Sequence, residues 1–379
     1  MARVVCPAES ARITIDLDAL RHNFDELSRC ITPAELGAVV KANAYGLGAI
    51  RVAETLQSAG CRQFFTAHLS EALELLSVLE PASVVFILNG LDSGCEPLCA
   101  DYGFIPVLNS VAQVQRWQAL AIERRRRLPA ALQVDSGMSR LGLSPGETLS
   151  VSKTSLAADL DLKLVLTHLA CADDPNHIEN RRQLSRFGKI ASLFPGVPKS
   201  IANSGGVYLG SEFHKDIARC GIALFGVSPP TGGEDLKPIM RFDARVVQIR
   251  NIEAGAGVGY GLDYIAPKSM RTATIGVGYA DGVPRRFSQC GAAWFQAQRL
   301  PLLGRISMDS FTLDASDLPE GMLHEGDFVE LIGPHQPIEV VAEAAKTIPY
   351  EILTGLGRRA ERIYLERNLM ERYGAGAWS

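Results

Sequence analysis

The stretch Leu36-Gly37-Ala38-Val39-Val40-Lys41-Ala42-Asn43-Ala44-Tyr45-Gly46-Leu47-Gly48 reads as a buried strand ending in a glycine-punctuated polar loop. Helical periodicity then runs over 49–59. Seven more apolar runs follow at 63–66, 83–88, 104–108, 130–134, 163–167, 199–202 and 216–219. Several are nearly continuous Val, Ile and Leu, the pattern of parallel strands covered on both faces. Helical patterns between them include 70–79, 110–123 and 177–193, with Ser110 and Asn176 as N-caps. Eight strand-plus-helix units in succession predict an α/β fold, a (β/α)8 TIM-like barrel.

The pattern changes at Gly226-Val227-Ser228-Pro229-Pro230-Thr231-Gly232-Gly233. Paired prolines and glycines break any regular element there, which predicts a linker. Beyond it, 244–249, 272–277, 310–313 and 328–332 read as strands without long helices, with a turn signal at Glu325-Gly326-Asp327. The expected organisation is a barrel over 1–235 and a mainly β domain over 236–379. The segment 12–17 is also strand-like and can pair with either domain.

Composition excludes several classes. Of 379 residues, 47% are apolar and 21% charged, far too apolar for a disordered chain. Lys and Arg total 38 against 42 Asp and Glu, a net charge of −4, so the basic surplus of a nucleic-acid protein is missing. The run Arg124–Arg127 then reads as a solvated helix end, where positive charge suits the dipole. Residues 1–12 contain no signal-peptide core, and no segment offers about 18 consecutive apolar residues, so a cytoplasmic protein without a membrane partner is expected. The eight cysteines (Cys6, Cys30, Cys61, Cys95, Cys99, Cys171, Cys220, Cys290) contain one close pair and no neighbouring histidine. They read as structural thiols with no metal site.

In such barrels the active site lies at the C-terminal ends of the strands. Those ends carry Lys41 after the first run, Arg140 after the fifth, His168 after the sixth, Ser204 after the seventh and Arg219 at the eighth. A lone lysine after a strand is ordinarily a snorkelling surface group, and a Ser-Gly-Gly turn ordinarily only a turn. Convergence in one mouth changes that reading. A lysine whose stem is packed has a desolvated amine, suited to Schiff-base chemistry or proton transfer. Asn203-Ser204-Gly205-Gly206 and Gly221-Ile222 follow the last two strands, where barrels commonly bind phosphate. An amine nucleophile beside a phosphate cradle fits pyridoxal 5'-phosphate.

Val40-Lys41-Ala42-Asn43-Ala44-Tyr45-Gly46 resembles the cofactor-attachment motif of bacterial alanine racemases. So do Val258-Gly259-Tyr260-Gly261, Gly278-Tyr279-Ala280-Asp281-Gly282 and Gly304-Arg305-Ile306-Ser307-Met308-Asp309, in the family's order. The resemblance spans about residue 12 to the carboxyl terminus. It implies an isomerase that interconverts L- and D-alanine by a two-base pyridoxal-phosphate mechanism, supplying D-alanine for peptidoglycan. It implies that Lys41 binds the cofactor and serves as one base. Tyr260, delivered from the partner's β domain in a homodimer with shared sites, is the other. Tyrosine is a poor base at its reference pKa of about 10, and the family joins it to His168 and Arg219 in a hydrogen-bonded chain. Arg219 also meets the pyridine nitrogen, keeping its own protons and making the ring a weaker electron sink. The resemblance further assigns Tyr45, Ser204, Gly221 and Ile222 to the phosphate and Arg140 to the phenolic oxygen. Arg140 also falls on the substrate side, with Met308 and Asp309 contributed by the partner subunit, and Tyr279 narrows the entrance. Without the family, Tyr260, Tyr279, Met308 and Asp309 read as core or turn residues.

Four positions depart from the family pattern. Leu47 replaces a histidine, Ser307 a cysteine, and Arg358 a tyrosine that reaches the phosphate in some relatives. Gln133 replaces a lysine that many relatives carbamylate to support the arginine matching Arg140, so a neutral amide must do that here. Rival readings are a racemase of broader specificity (Ser, Lys or Arg), a barrel-type decarboxylase and a cofactor carrier without turnover. Relatives of the first kind are typically exported, which weighs against it.

Overall fold

The computed structural model describes residues 10–154 and 159–366; Cys6 lies outside them. The chain divides into two compact units: Ala19–Pro238, and Ile239 onward together with the segment ending at Asp18. Strands are numbered along the chain, and β1 (Ala11–Asp16) belongs to the latter unit.

The first unit holds β2 (Glu35–Val39), β3 (Gln63–Thr66), β4 (Val84–Ile87), β5 (Ile105–Leu108), β6 (Leu128–Gln133), β7 (Leu160–Leu166), β8 (Lys199–Ser200) and β9 (Ile217–Cys220). They form one parallel sheet in the order β8-β7-β6-β5-β4-β3-β2-β9. The seam between its end strands is stitched by Asp216 N donating to the Lys199 carbonyl (3.1 Å) and Arg219 N to that of Ala202 (2.9 Å). The Ser200 hydroxyl adds a bond to the Ile217 carbonyl (2.5 Å). An eight-stranded sheet curled to meet itself is the expected barrel, and its near-continuous apolar strands are buried on both faces.

Helices cover the strands through their apolar stripes. In helix Leu17–Ile31, Leu20, Phe24, Leu27 and Ile31 recur every three to four residues and are buried. Each contributes about 1.5–3 kcal/mol by leaving water. The expected helices form over Ala49–Ser58, Leu69–Leu75, Val111–Glu123 and Ile178–Ala191. Ser110 caps its helix, its side chain accepting from Gln113 N. Asn176 does not cap the next one. Its amide donates to Asp174, so the chain turns one residue later and His177 becomes the cap, its ring accepting from Glu179 N.

The last two barrel units also differ from expectation. After β8 and β9 the chain forms only the 3-10 turns Gly205–Tyr208, Ser211–Phe213 and Ile222–Phe225. Glycines bound these runs, and four residues are too few to sustain an α-helix against its nucleation cost. The stretch 226–233 stays packed within the first unit, with Val227 buried and Thr231 donating to the Gly205 carbonyl, and the division falls after it. Arg124 pairs with Asp101 and Arg127 donates to the Leu160 carbonyl, so both guanidinium groups fasten a helix end.

The second unit is a mainly antiparallel sheet built around the long strand β10 (Met240–Ile252). The others are β11 (Gly257–Val258), β12 (Tyr264–Ile265), β13 (Met270–Ile275), β14 (Ala292–Phe295), β15 (Gln298–Leu303), β16 (Phe311–Asp314), β17 (Phe328–Ile332) and β18 (Glu361–Leu365). The main order is β13-β16-β15-β14-β17-β10-β1-β18, and β10 also pairs with β13. The strand-like amino-terminal segment thus settles here, antiparallel to β10 and parallel to β18. Buried Asp243 secures that place, accepting from Arg12 (3.3 Å) and Arg241 (2.8 Å).

Candidate active site

Lys41 leaves the end of β2 and opens a turn of unusual hand. Ala42, Asn43, Ala44 and Tyr45 have φ of 52°, 55°, 51° and 55°. Left-handed backbone costs a residue with a Cβ roughly 1–2 kcal/mol, and such strain collects at functional sites. The turn closes through Ala44 N to the Val40 carbonyl (2.9 Å) and Gly46 N to that of Ala42 (2.8 Å). Two side chains hold it from outside. Asn43 Oδ1 accepts from Ala49 N (2.8 Å), fixing the start of the next helix, and Glu71 Oε1 accepts from Ala42 N (2.6 Å). Tyr45 ends up buried, its ring 4.9 Å from that of Phe225.

The groups in the mouth of the barrel are electrostatically coupled. Burial, then the charges of Arg140 and Arg219, lower the pKa of Lys41, while the Glu71 carboxylate opposes them. That is the desolvated amine the sequence leads one to expect. His168 follows β7 and is only partly covered, but desolvation and the cations Arg219, Arg140 and Lys41 hold its pKa down to about 3. It is a neutral imidazole at neutral pH. Arg219, on β9, is 4% exposed. Burial lowers its pKa to about 10, still cationic at neutral pH. Its guanidinium donates to Ser200 Oγ, the Thr167 carbonyl (2.6 Å) and His168 Nδ1 (3.4 Å). Among the described residues no carboxylate forms a salt bridge with it.

The end strands build a polar cradle. Ser204 Oγ accepts from Gly221 N (3.1 Å) and Ala223 N (3.3 Å). A Cβ on Gly221 would stand 2.2 Å from Tyr45 Oη, so glycine there lets the phenol reach this backbone. Tyr45, Ser204, Gly221 and Ile222, far apart in sequence, are thereby gathered. Arg140 is exposed on the loop after β6, where Asp135 accepts from the amides of Gly137, Met138 and Ser139. Gln133 is buried beneath that loop, its Cγ 3.1 Å from where a Cβ on Gly142 would lie.

The remaining candidates belong to the β unit, where three motifs meet. Tyr279 N donates to the Ser307 carbonyl and Ala280 N to that of Met308, both at 3.1 Å. Arg359 bridges Asp281 (2.9 Å) and Asp309 (2.7 Å). Arg305 pairs with Asp263 beside the turn that carries Tyr260. Tyr260 itself is 73% exposed, with Leu262 at 58% and Ile265 at 54%.

Sequence reading passed over several residues around the site. Glu71 is one. Gln183 is another: fully buried, it donates to the His168 carbonyl (2.9 Å) and accepts from Ala170 N (2.9 Å). Its place on the core face of a helix was the one available signal. Among the described residues no cluster of His, Cys, Asp or Glu is placed to hold a metal, and no helix is long and apolar enough to cross a membrane. Cys61, Cys99 and Cys220 are buried, which pushes their thiols up to about 11, 12 and 12.

Comparison with known proteins bears on both units. Residues 15–229 match the family described as alanine racemase, N-terminal domain, and 239–364 its C-terminal domain. An alanine racemase of Brucella canis is 48% identical over 371 residues, covering 94% of each chain. A catabolic alanine racemase of Agrobacterium fabrum is 49% identical over 359 residues, 94% of this chain and 92% of that one. The crystal structure of an alanine racemase from Bartonella henselae with covalently bound pyridoxal phosphate superimposes with a TM-score of 0.91 at 44% identity, covering 95% of this chain and 100% of that one.

Proposed function

The chain belongs to the alanine racemase family, and from that premise we propose that Lys41 and Tyr260 are the two bases with which it inverts alanine. It is a pyridoxal-phosphate-dependent isomerase that interconverts L- and D-alanine. The observation that carries the assignment is the meeting, in one barrel mouth, of an amine with a lowered pKa and a buried arginine bonded to a neutral histidine.

The residues present fit the cofactor. Lys41 offers its aldehyde an amine whose pKa is lowered, first by burial and then by the charge of Arg140. The cradle of Tyr45, Ser204, Gly221 and Ile222, which a Cβ at position 221 would fill, suits its phosphate. Arg219 has an uncompensated buried charge for its ring nitrogen, and Arg140 is within electrostatic reach of Lys41 for its phenolic oxygen. When bound, the cofactor withdraws electrons from the substrate's Cα and so acidifies the proton there.

The protein's own work is proton transfer on two faces. Lys41 takes or returns the proton on one face of Cα and Tyr260 on the other. An arginine N–H can only donate, so His168 Nδ1 is the acceptor and the single imidazole proton sits on Nε2. That proton is available to the oxygen of Tyr260 as it takes or returns the substrate's proton. Tyr260 of the partner subunit is the one we assign to each site. The exposed apolar cluster of Tyr260, Leu262 and Ile265 supports a homodimer that covers it. Tyr279, Met308 and Asp309 then narrow the substrate side, Asp309 held by Arg359. The barrel carries the cofactor and the β domain completes a neighbour's site.

Enantiomers have equal free energy in water, so the direction of flux depends on which one is consumed. We read this enzyme as cytoplasmic and as a source of D-alanine for peptidoglycan. The test is L-alanine in deuterated water with wild type and Lys41→Ala. Wild type should invert alanine and place solvent deuterium at Cα, and Lys41→Ala should do neither. Inversion at the wild-type rate by Lys41→Ala overturns the assignment.

A further inference from the structure

Glu71 is the third residue of helix Leu69–Leu75 and closes its capping box, Oε2 accepting from Ala67 N (2.7 Å) and His68 N (3.2 Å). That local duty needs one oxygen. The other, Oε1, reaches the neighbouring loop and accepts from Ala42 N at 2.6 Å. Three amides from two successive strand-to-helix loops thus meet on one carboxylate. The Ala42 N–H belongs to the peptide plane joining Lys41 to Ala42, so holding it fixes both ψ of Lys41 and the left-handed φ of Ala42. Glu147 gives the contrast. It closes the same kind of box at the start of helix Pro145–Lys153, its carboxylate accepting from Ser144 N (2.8 Å) and Ser144 Oγ (2.7 Å) within that cap.

We propose that Glu71 is a positioning residue for Lys41, clamping the strained turn that aims the amine at the cofactor. This rests on the reading of Lys41 as the cofactor-bearing lysine. The carboxylate's charge has a second effect on the same group. Lys41 faces Arg140, Arg219, Glu71 and the neutral ring of His168, and Glu71 is the member that favours its protonated form. Replacing Glu71 by glutamine turns one acceptor into an N–H donor aimed at amides and removes that charge.

The test strips the holoenzyme with hydroxylamine and re-adds pyridoxal phosphate. Attachment, in which amine and aldehyde form a C=N bond and release water, is followed by visible absorbance across pH. Borohydride then reduces that bond, and mass spectrometry locates the modified lysine. Wild type and Glu147→Gln should attach alike at Lys41. Glu71→Gln should bind roughly ten- to hundredfold more weakly, with the pH midpoint of attachment moved down. Its thermal melt when stripped should match that of Glu147→Gln. Wild-type affinity and midpoint in Glu71→Gln would overturn the clamp, whereas modification at another lysine in wild type would overturn the reading of Lys41. Hydrogen exchange decides the matter should Glu71→Gln fail to fold. The wild-type Ala42 amide should exchange slowly, and rapid exchange there also overturns the proposal.

Discussion

Arg219 donates from one guanidinium nitrogen to both His168 Nδ1 (3.4 Å) and the Thr167 carbonyl (2.6 Å). The arginine is therefore anchored to the backbone of the strand end that delivers the histidine, and the two cannot drift apart. Its charge also helps to keep the ring neutral, after desolvation as the larger cause.

Arg219→Gln should accordingly raise the pKa of His168 from about 3 without restoring its ordinary value, since burial remains. Ring-proton chemical shifts against pH measure it: the wild-type ring should stay silent from about pH 5 to 8. A wild-type ring titrating near its ordinary value would refute the assignment of a neutral histidine. Stability follows with a definite sign. The folded pKa lies below the unfolded one, so the unfolded chain takes up the proton first. Wild type should lose stability as pH falls from about 6.5 towards 3, and His168→Gln should lack that part of the loss.

Gly221→Ala tests the cradle. The new Cβ would lie 2.2 Å from Tyr45 Oη, and the tyrosine ring is buried against Phe225 with little room to retreat. The phenol must leave the backbone it now reaches. Pyridoxal-phosphate affinity, read by absorbance titration, should fall about tenfold or more for one lost charge-assisted hydrogen bond. A conserved affinity would show that Tyr45 does not hold the phosphate.

Legibility differed between the barrel and the rest for physical reasons. The runs 36–40 and 104–108 announce themselves because strands buried on both faces are apolar throughout, and Lys41 stands out as the charge that ends one. The place of β1 was undecidable, because its partners Ala244 and Arg362 lie over 200 residues away and a strand's sequence does not name its neighbours. The 3-10 turns after β8 and β9 stand where the count of eight strand-plus-helix units implies helices, and apolar periodicity over four residues cannot distinguish the two. Glu71 was invisible in its wider role. The capping position predicts one oxygen's bond and says nothing of the loop that the other reaches. The proposed role of Tyr260 comes from family resemblance alone, since an exposed tyrosine in a glycine turn has no local feature that marks a base.

Gln133 makes a prediction by what it cannot become. Its amide has no amine to take up carbon dioxide, and it is buried under the loop of Arg140. Activity should not change when bicarbonate is removed or added at constant pH. Gln133→Ala should lower activity through a displaced Arg140, and added bicarbonate should not rescue it. Bicarbonate-dependent activity in the wild type would contradict this.

Tyr260→Phe separates two bases from one, provided the right quantity is measured. L- and D-alanine have equal free energies, so kcat/KM for inversion must be the same in both directions for any variant, and comparing those rates cannot reveal which face lost its base. Exchange can. With Tyr260 reduced to phenylalanine, Lys41 still removes and returns a proton on its own face. One enantiomer should therefore gain solvent deuterium at Cα with retention of configuration, while the other stays inert. Inversion should fall by about 10²–10⁴, the usual worth of a positioned acid–base group. Equal deuterium uptake from both enantiomers, or inversion at the wild-type rate, would mean that a single base or a water serves both faces and that Tyr260 has another task.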